Sequence, residues 1–470
     1  MASRSRSISE LACVHPAQVF RLTGSESGAP GPVKGFAPGA YFGLPRRSHR
    51  GRTLAAMGRA FYWLVAALVI GGVAGAPIRA LLPAYVEGQV KAAPSFTSLL
   101  LAIQLGVGGI FALAGGSLSD RLSRRTIVLL GVPSAIPGAL LFATHDPVYL
   151  VPMAVVWGVL TGFQASGGQS FLMSAVEPSK TGTATAVFFL TTTMSGAIGA
   201  WAGGVAADAF GYDVVAAGGA VLALIGVATA ARFLPDLGSD TSRSGSASHA
   251  SGGMDYLTVF RQPGMWTIVL LRFWPTVAWG IATLVIPLYL YRIAGNATVP
   301  GTYALVSLVI ASGGQLLTGR LIDRGARMSV GSVAGVPVAL RRLTAVVSVG
   351  LLIAGAAAIF ATDNVYVLGA AGTVWTVMAW ALSTTMPALM RGAVPTVAYG
   401  RAVGLTHLVW SGAMLTGTTV GGLLVEVNHV APLIAATACL AVSAVVAVRF
   451  AIAAEHSAGH PSQAVAPAAI

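Results

Sequence analysis

From Ala60 to Phe450 the chain is a succession of apolar stretches separated by short polar turns. Each stretch approaches the ~20 residues that a helix needs to cross a bilayer core. Twelve can be counted: Ala60–Ala84, Phe96–Leu118, Thr126–Thr144, Tyr149–Ser174, Thr183–Ala207, Val214–Leu234, Met265–Tyr291, Gly301–Ile322, Leu343–Ala361, Val365–Met390, Ala402–Val425 and Val430–Phe450. Lipid offers no water to backbone N–H and C=O groups, so segments of this length and composition are expected as helices. The pattern predicts an all-α integral membrane protein with twelve transmembrane helices. One longer break, Pro235–Gly264, is rich in Ser, Gly and Asp and reads as a flexible cytoplasmic linker dividing six helices from six. The expected units are a tail at 1–56, helical bundles at 57–234 and 265–452 on either side of the linker at 235–264, and a C-terminal tail at 453–470.

Composition excludes the main alternatives. Only 9% of the 470 residues are Asp, Glu, Lys or Arg, against roughly 25% in a soluble globular domain, so a water-facing enzyme surface cannot be built. The 58 glycines suit close packing between membrane helices. Cys13 and Cys439 lie in unlike surroundings and suggest neither a bridge nor a metal site.

The net charge of +13 would, in a soluble chain, raise nucleic acid as a partner. Placement argues otherwise. With both ends on the cytoplasmic side, 24 of the 28 Lys and Arg residues fall in inner loops and ends, and only Lys91 and Arg292 fall outside. The positive-inside rule therefore predicts a multi-pass protein of the cell membrane with cytoplasmic termini. Arg79 and Arg272 lie within predicted helices. The first 56 residues, rich in Arg, Ser, Gly and Pro, fit a disordered basic arm, a transit peptide, or an extension ahead of a true start at Met57.

The sequence repeats itself. Gly116, Leu118, Asp120, Arg121 and Arg124 follow the second segment, and Gly319, Leu321, Asp323, Arg324 and Arg327 follow the eighth, 203 residues later. Gly199, Gly203 and Gly204 recur as Gly417, Gly421 and Gly422 at an offset of 218. Two homologous halves explain both series, and the expected architecture is two pseudo-symmetric six-helix bundles.

On these residues the chain resembles the major facilitator superfamily. The stretch GGSLSDRLSRR is similar to the signature between that superfamily's second and third helices, through Gly116, Asp120, Arg121, Arg124 and Arg125, with Ser123 where a Gly is expected. GRLIDRGAR is a degenerate second copy. The resemblance covers about residues 57–450 and implies a secondary transporter working by alternating access. It also implies a gating role for the signature residues. A carboxylate at Asp120 can cap a helix N-terminus of the opposite half and pair with nearby arginines when the inner side is shut. The alternative is that these charges only orient the helices.

SGAIGAWAGG resembles the fifth-helix signature of drug/proton antiporters through Gly199, Gly203 and Gly204, but Ala200 replaces its Pro and Ser195 its first Gly. The helix-packing set is thus Gly199, Gly203, Gly204, Gly417, Gly421 and Gly422. Gly158 stands where those antiporters carry a fourth-helix Arg, and no Asp or Glu lies near the middle of a segment. A carboxylate proton relay is therefore doubtful. His407 is a titratable alternative or a packing residue.

An intramembrane Arg costs about 2.5–3.5 kcal/mol on insertion scales and needs a wet cavity, a partner or an interface. Arg79, between Pro77 and Pro83, is the first candidate for substrate contact, with snorkelling to the outer interface as the competing reading. Arg272 is the second, with snorkelling again the alternative. Gln104, Gln164, Trp279, Trp375 and Trp380 complete the candidate substrate-binding set, beside Gln169, Gln315 and Trp274.

No metal cluster, nucleophile arrangement or phosphate-cradling loop points to an enzyme. The expected partners are a small-molecule substrate and the lipid bilayer, with a coupling ion left open, no cofactor, no metal and no nucleic acid, and the chain acting as a monomer. The leading expectation is efflux of a small amphipathic or weakly anionic compound. Uptake or facilitated diffusion of an organic anion or metabolite is the second. A transport-inactive receptor or scaffold on the same fold is the reading from another class.

Overall fold

A computed structural model describes residues 58–119, 122–176, 181–236, 256–262, 264–328, 336–394 and 399–459. For some positions within these helices, including Asp323 and Arg327, only the backbone is described. The long helices are α1 Arg59–Tyr85, α2 Pro94–Ser119, α3 Arg124–Ala143, α4 Pro147–Ala175, α5 Thr181–Phe210, α6 Tyr212–Phe233, α7 Met265–Ala294, α8 Thr298–Met328, α9 Val338–Ile359, α10 Val365–Ala393, α11 Tyr399–Val427 and α12 Ala431–Gly459. Eleven are long and apolar enough to cross a membrane. The exception is α5, where Thr191–Thr193, Ser195 and five glycines dilute the apolar surface. It packs between α1, α6 and α8, so protein rather than lipid meets much of its surface.

Local chemistry sets the ends and bends. Asp146 accepts from the Val148 amide at 2.9 Å at the start of α4, and Asn364 accepts from Tyr366 and Val367 at the start of α10; both are side-chain caps of otherwise orphaned donors. Pro133 and Pro137 each remove a backbone donor, and α3 accordingly passes twice through 3-10 geometry at Val132–Ser134 and Leu141–Ala143. Gly211 and Gly295, at φ 87° and 70°, make the tight turns after α5 and α7 in backbone that side-chain-bearing residues avoid.

Several expected boundaries shift. The second signature copy, Gly319 to Arg327, is helical throughout within α8 and does not begin a loop. The last helix runs to Gly459, beyond the expected boundary at 452. The linker contains one helical turn, Tyr256–Phe260.

Packing repeats across the halves. The pairs α1–α5, α1–α6, α2–α4 and α3–α4 correspond to α7–α11, α7–α12, α8–α10 and α9–α10. The glycines make the correspondence atomic. A Cβ on Gly199 would stand 2.3 Å from the Val73 carbonyl oxygen, and one on Gly417 would stand 2.1 Å from that of Val277. Gly203 faces Pro77 as Gly421 faces Ile281. These helices meet backbone to backbone, where a methyl group has no room. Outside, large apolar side chains such as Ile110, Val346 and Ile353 are exposed, as a lipid-facing surface requires.

The helix ends at Arg59 and Gly459 mark one face of the bundle, called terminal below; the turns after α1, α3, α5, α7, α9 and α11 mark the opposite, distal face. The halves join through α5–α8, α2–α11 and α1–α7.

Candidate functional site

The distal face is drawn tight. Arg292 donates to both carboxylate oxygens of Glu87 at 2.8 and 2.7 Å, tying α7 to the turn after α1. Asp208, at the end of α5, accepts from the Ala297 and Thr298 amides at 2.8 and 2.7 Å where α8 begins. Glu426, near the end of α11, accepts from the Ser95 amide at 3.0 Å in the first turn of α2. Among the described residues, these inter-half bonds all lie at the distal face. The α2–α11 contact continues inward as far as Gly109 against Ser411.

Arg79 sits beneath this closure, six residues before the end of α1. Its helix packs on α3, α5, α6, α7 and α8. Neighbouring positions are committed: Val73 and Ala76 to Gly199, Ala74 to Gly219, and Gly75 to Ala135. Arg79 is nonetheless exposed. Gly72, Gly75 and Ala76, which share its stripe of α1, face Ser195 of α5, Ala135 of α3 and Gly199 of α5. Among the described residues it has no hydrogen-bond or ion-pair partner, so its guanidinium donors are available.

Arg272 projects from the terminal half of α7 and donates to Ser383 Oγ of α10 at 3.1 Å. His407 of α11 is exposed and lies within Coulombic range of Arg272. Trp279 stands two turns from Arg272 on one stripe of α7, and Trp380 stands one turn from Ser383 on one stripe of α10. Arg272 and Ser383 therefore form a basic, hydroxyl-bearing cluster between α7 and α10. All described Asp and Glu side chains lie at helix ends or in turns, so no acid neutralises the middle of the bundle among the described residues.

The other sequence candidates separate from this cluster. Gln164 accepts from Ser134 Oγ at 2.7 Å and is spent at the α3–α4 contact. Gln104 is buried where α2 meets Gly158 of α4. Trp375 is fully buried near Gly355 of α9, within the core of the second half. Asp120 and Arg121 lie outside the described residues, and Gly116, Asp323 and Arg327 are described by backbone alone. Arg125 bonds to the Ala231 carbonyl of α6, within its own half, and Arg324 is exposed near the end of α8. Ser383, Asp208 and Glu426 are absent from the sequence candidates. The last two carried a readable signal: each is four residues beyond a paired glycine, Gly204 or Gly422, at the same offset of 218.

A polar recess of about 330 Å³ at the distal face is lined by Asp208, Asp213, His145, Tyr212 and Tyr291. An apolar groove of about 430 Å³ runs between α3 and α4 beside Pro133, Pro137 and Pro152, where the proline bends part the helices.

The chain matches the family model described as Major Facilitator Superfamily over residues 62–341, more than half its length. No curated protein matches it. Among solved structures it is similar to a bacterial homolog of the human lysosomal transporter Spinster in an inward-facing, unoccupied conformation (TM-score 0.62, 14% identity, 87% of this chain and 98% of that one). It is also similar to a mutant of the nucleoside transporter NupG (TM-score 0.63, 12% identity, 84% and 99%). At these identities the likeness is one of fold.

Proposed function

We propose, for a chain that belongs to the Major Facilitator Superfamily, that it exports a small, weakly anionic amphipathic compound by alternating access. The observation that carries this reading is Arg79: exposed, on a helix that five others pack against, and without a partner among the described residues. A guanidinium held in a low-dielectric cavity favours an anionic group that can accept its forked donors. Arg272, Ser383 and His407 offer a second set of donors nearer the terminal face.

Access supports this direction. The distal face is tied shut above Arg79, which favours entry from the terminal face. The bias of Lys and Arg toward the loops and ends of that face supports placing it on the cytoplasmic side of a cell membrane. Loading from the cytoplasm and discharge outside is the reading that fits both. Asp120, Arg121, Arg124 and Arg125, with their α8 counterparts, then close the cytoplasmic mouth in the opposite state.

Counterflow in proteoliposomes tests the proposal. Loaded vesicles should exchange aromatic or aliphatic carboxylates and reject amines of matched size. Arg79→Ala should lower the exchange about a hundredfold and Arg79→Lys should retain more of it. Selective exchange of amines, or undiminished carboxylate exchange in Arg79→Ala, overturns it.

A further inference from the structure

The repeat that positions the glycines also positions two acids. Asp208 and Glu426 occupy equivalent places, four residues after Gly204 and Gly422. Each reaches across to the other half's second helix, Asp208 to the start of α8 and Glu426 to the start of α2. The glycines bring those helices within reach: a Cβ on Gly204 would stand 2.5 Å from the Ala297 carbonyl oxygen, and one on Gly422 would stand 2.3 Å from Ser98 Oγ. Pro94, the first residue of α2, has no N–H, so the Ser95 amide is the first donor that this helix leaves unpaired. A carboxylate at a helix N-terminus gains both a hydrogen bond and the favourable end of the helix dipole.

We propose that Asp208 and Glu426 are a two-fold-related pair of latches that hold the distal face closed, each by capping a helix of the opposite half. They are positioning residues, since neither lies in the cavity. Their hydrogen bonds exist only while α5 touches α8 and α11 touches α2, so they lower the energy of the distal-closed state and leave the distal-open state unaffected. Asp208 holds two amides, and Glu426 holds Ser95 through both its amide and its hydroxyl. Because each latch joins one half to the other, opening the distal face requires both to release.

The test reads conformation and needs no substrate, so its failure is distinct from failure of the transport reading. Full-length protein with Cys13→Ser and Cys439→Ser receives nitroxide labels through Val148→Cys and Tyr366→Cys, exposed positions at the distal ends of α4 and α10 in opposite halves. In nanodiscs, pulsed dipolar distances should show a longer, distal-open population that rises about fivefold in Asp208→Ala and in Glu426→Ala and about twenty-fivefold in the double variant, the scale of two independent lost helix caps. Asp208→Asn keeps one acceptor oxygen and should fall between parent and Asp208→Ala; it also serves if the Ala variants do not fold. An unchanged distance distribution in the folded double variant, or in folded Asp208→Asn where the Ala variants fail, overturns the proposal.

Discussion

The two halves share a skeleton and differ in chemistry. Val73 meets Gly199 as Val277 meets Gly417, and Asp208 reaches α8 as Glu426 reaches α2. The register of 204 that relates Val73 to Val277 places Thr283 opposite Arg79 and Leu68 opposite Arg272. Neither arginine has a basic counterpart. Packing is what the repeat preserves, because two bundles that pivot on each other need matched helix contacts. The charges stand at unlike depths, Arg79 toward the distal end of α1 and Arg272 toward the terminal end of α7. On the transport path proposed above, a solute would meet one basic position before the other, which a perfectly symmetric pair would not provide.

The sharpest way to break this asymmetry is to exchange its terms. Arg79→Ala should lower kcat/KM for an exchanged anion about a hundredfold, the effect of removing a desolvated charged donor worth about 3 kcal/mol. Thr283→Ala, at the equivalent place, should stay within about twofold of wild type; equal losses would mean that the halves contribute alike. The shared skeleton predicts equal sensitivity. Gly199→Ala and Gly417→Ala should each destabilise by about 2 kcal/mol through overpacking against a backbone carbonyl, read as lowered melting temperatures in detergent. Tolerance at one glycine alone would break the equivalence.

Arg272→Ala should cost about tenfold in exchange, since Ser383 retains part of the cluster, a loss of about 1.4 kcal/mol. Ser383→Ala should cost less, because it removes only a neutral hydroxyl that orients the guanidinium. The smallest effect belongs to the Glu87–Arg292 pair at the distal rim, whose side chains are 30% and 35% exposed. Glu87→Ala should change stability by about 0.5 kcal/mol, with high salt reducing the difference further. A change several times larger would move the distal closure from the carboxylate caps to this ion pair.

Much of the fold is legible because lipid restricts what a chain can do. Twelve apolar stretches became twelve long helices, although α5 is too rich in Thr and Gly to meet the apolar standard of the others. The offset of 218 between glycines marks the equivalent contacts. The site was less legible. An Arg in an apolar segment announces a need for compensation but not its direction, which depends on the helices that pack around α1. Gln164 and Trp375 had the right chemistry for a substrate wall, yet Ser134 occupies the first and the second-half core the other. Ser383 is an unremarkable residue whose importance comes from the arginine that approaches it from another helix.

The sequence alone determined that the chain is helical, lives in lipid and is built twice over, because hydropathy, residue size and internal repetition are properties of consecutive residues. Tertiary structure decided which face of the bundle is shut, which arginine is left without a partner among the described residues, and which carboxylate reaches which helix. Those depend on residues brought together from opposite ends of the chain, as Asp208 meets Thr298 and Glu426 meets Ser95. Hydrogen bonds and ion pairs act over a few ångströms of space, a distance that sequence separation does not encode.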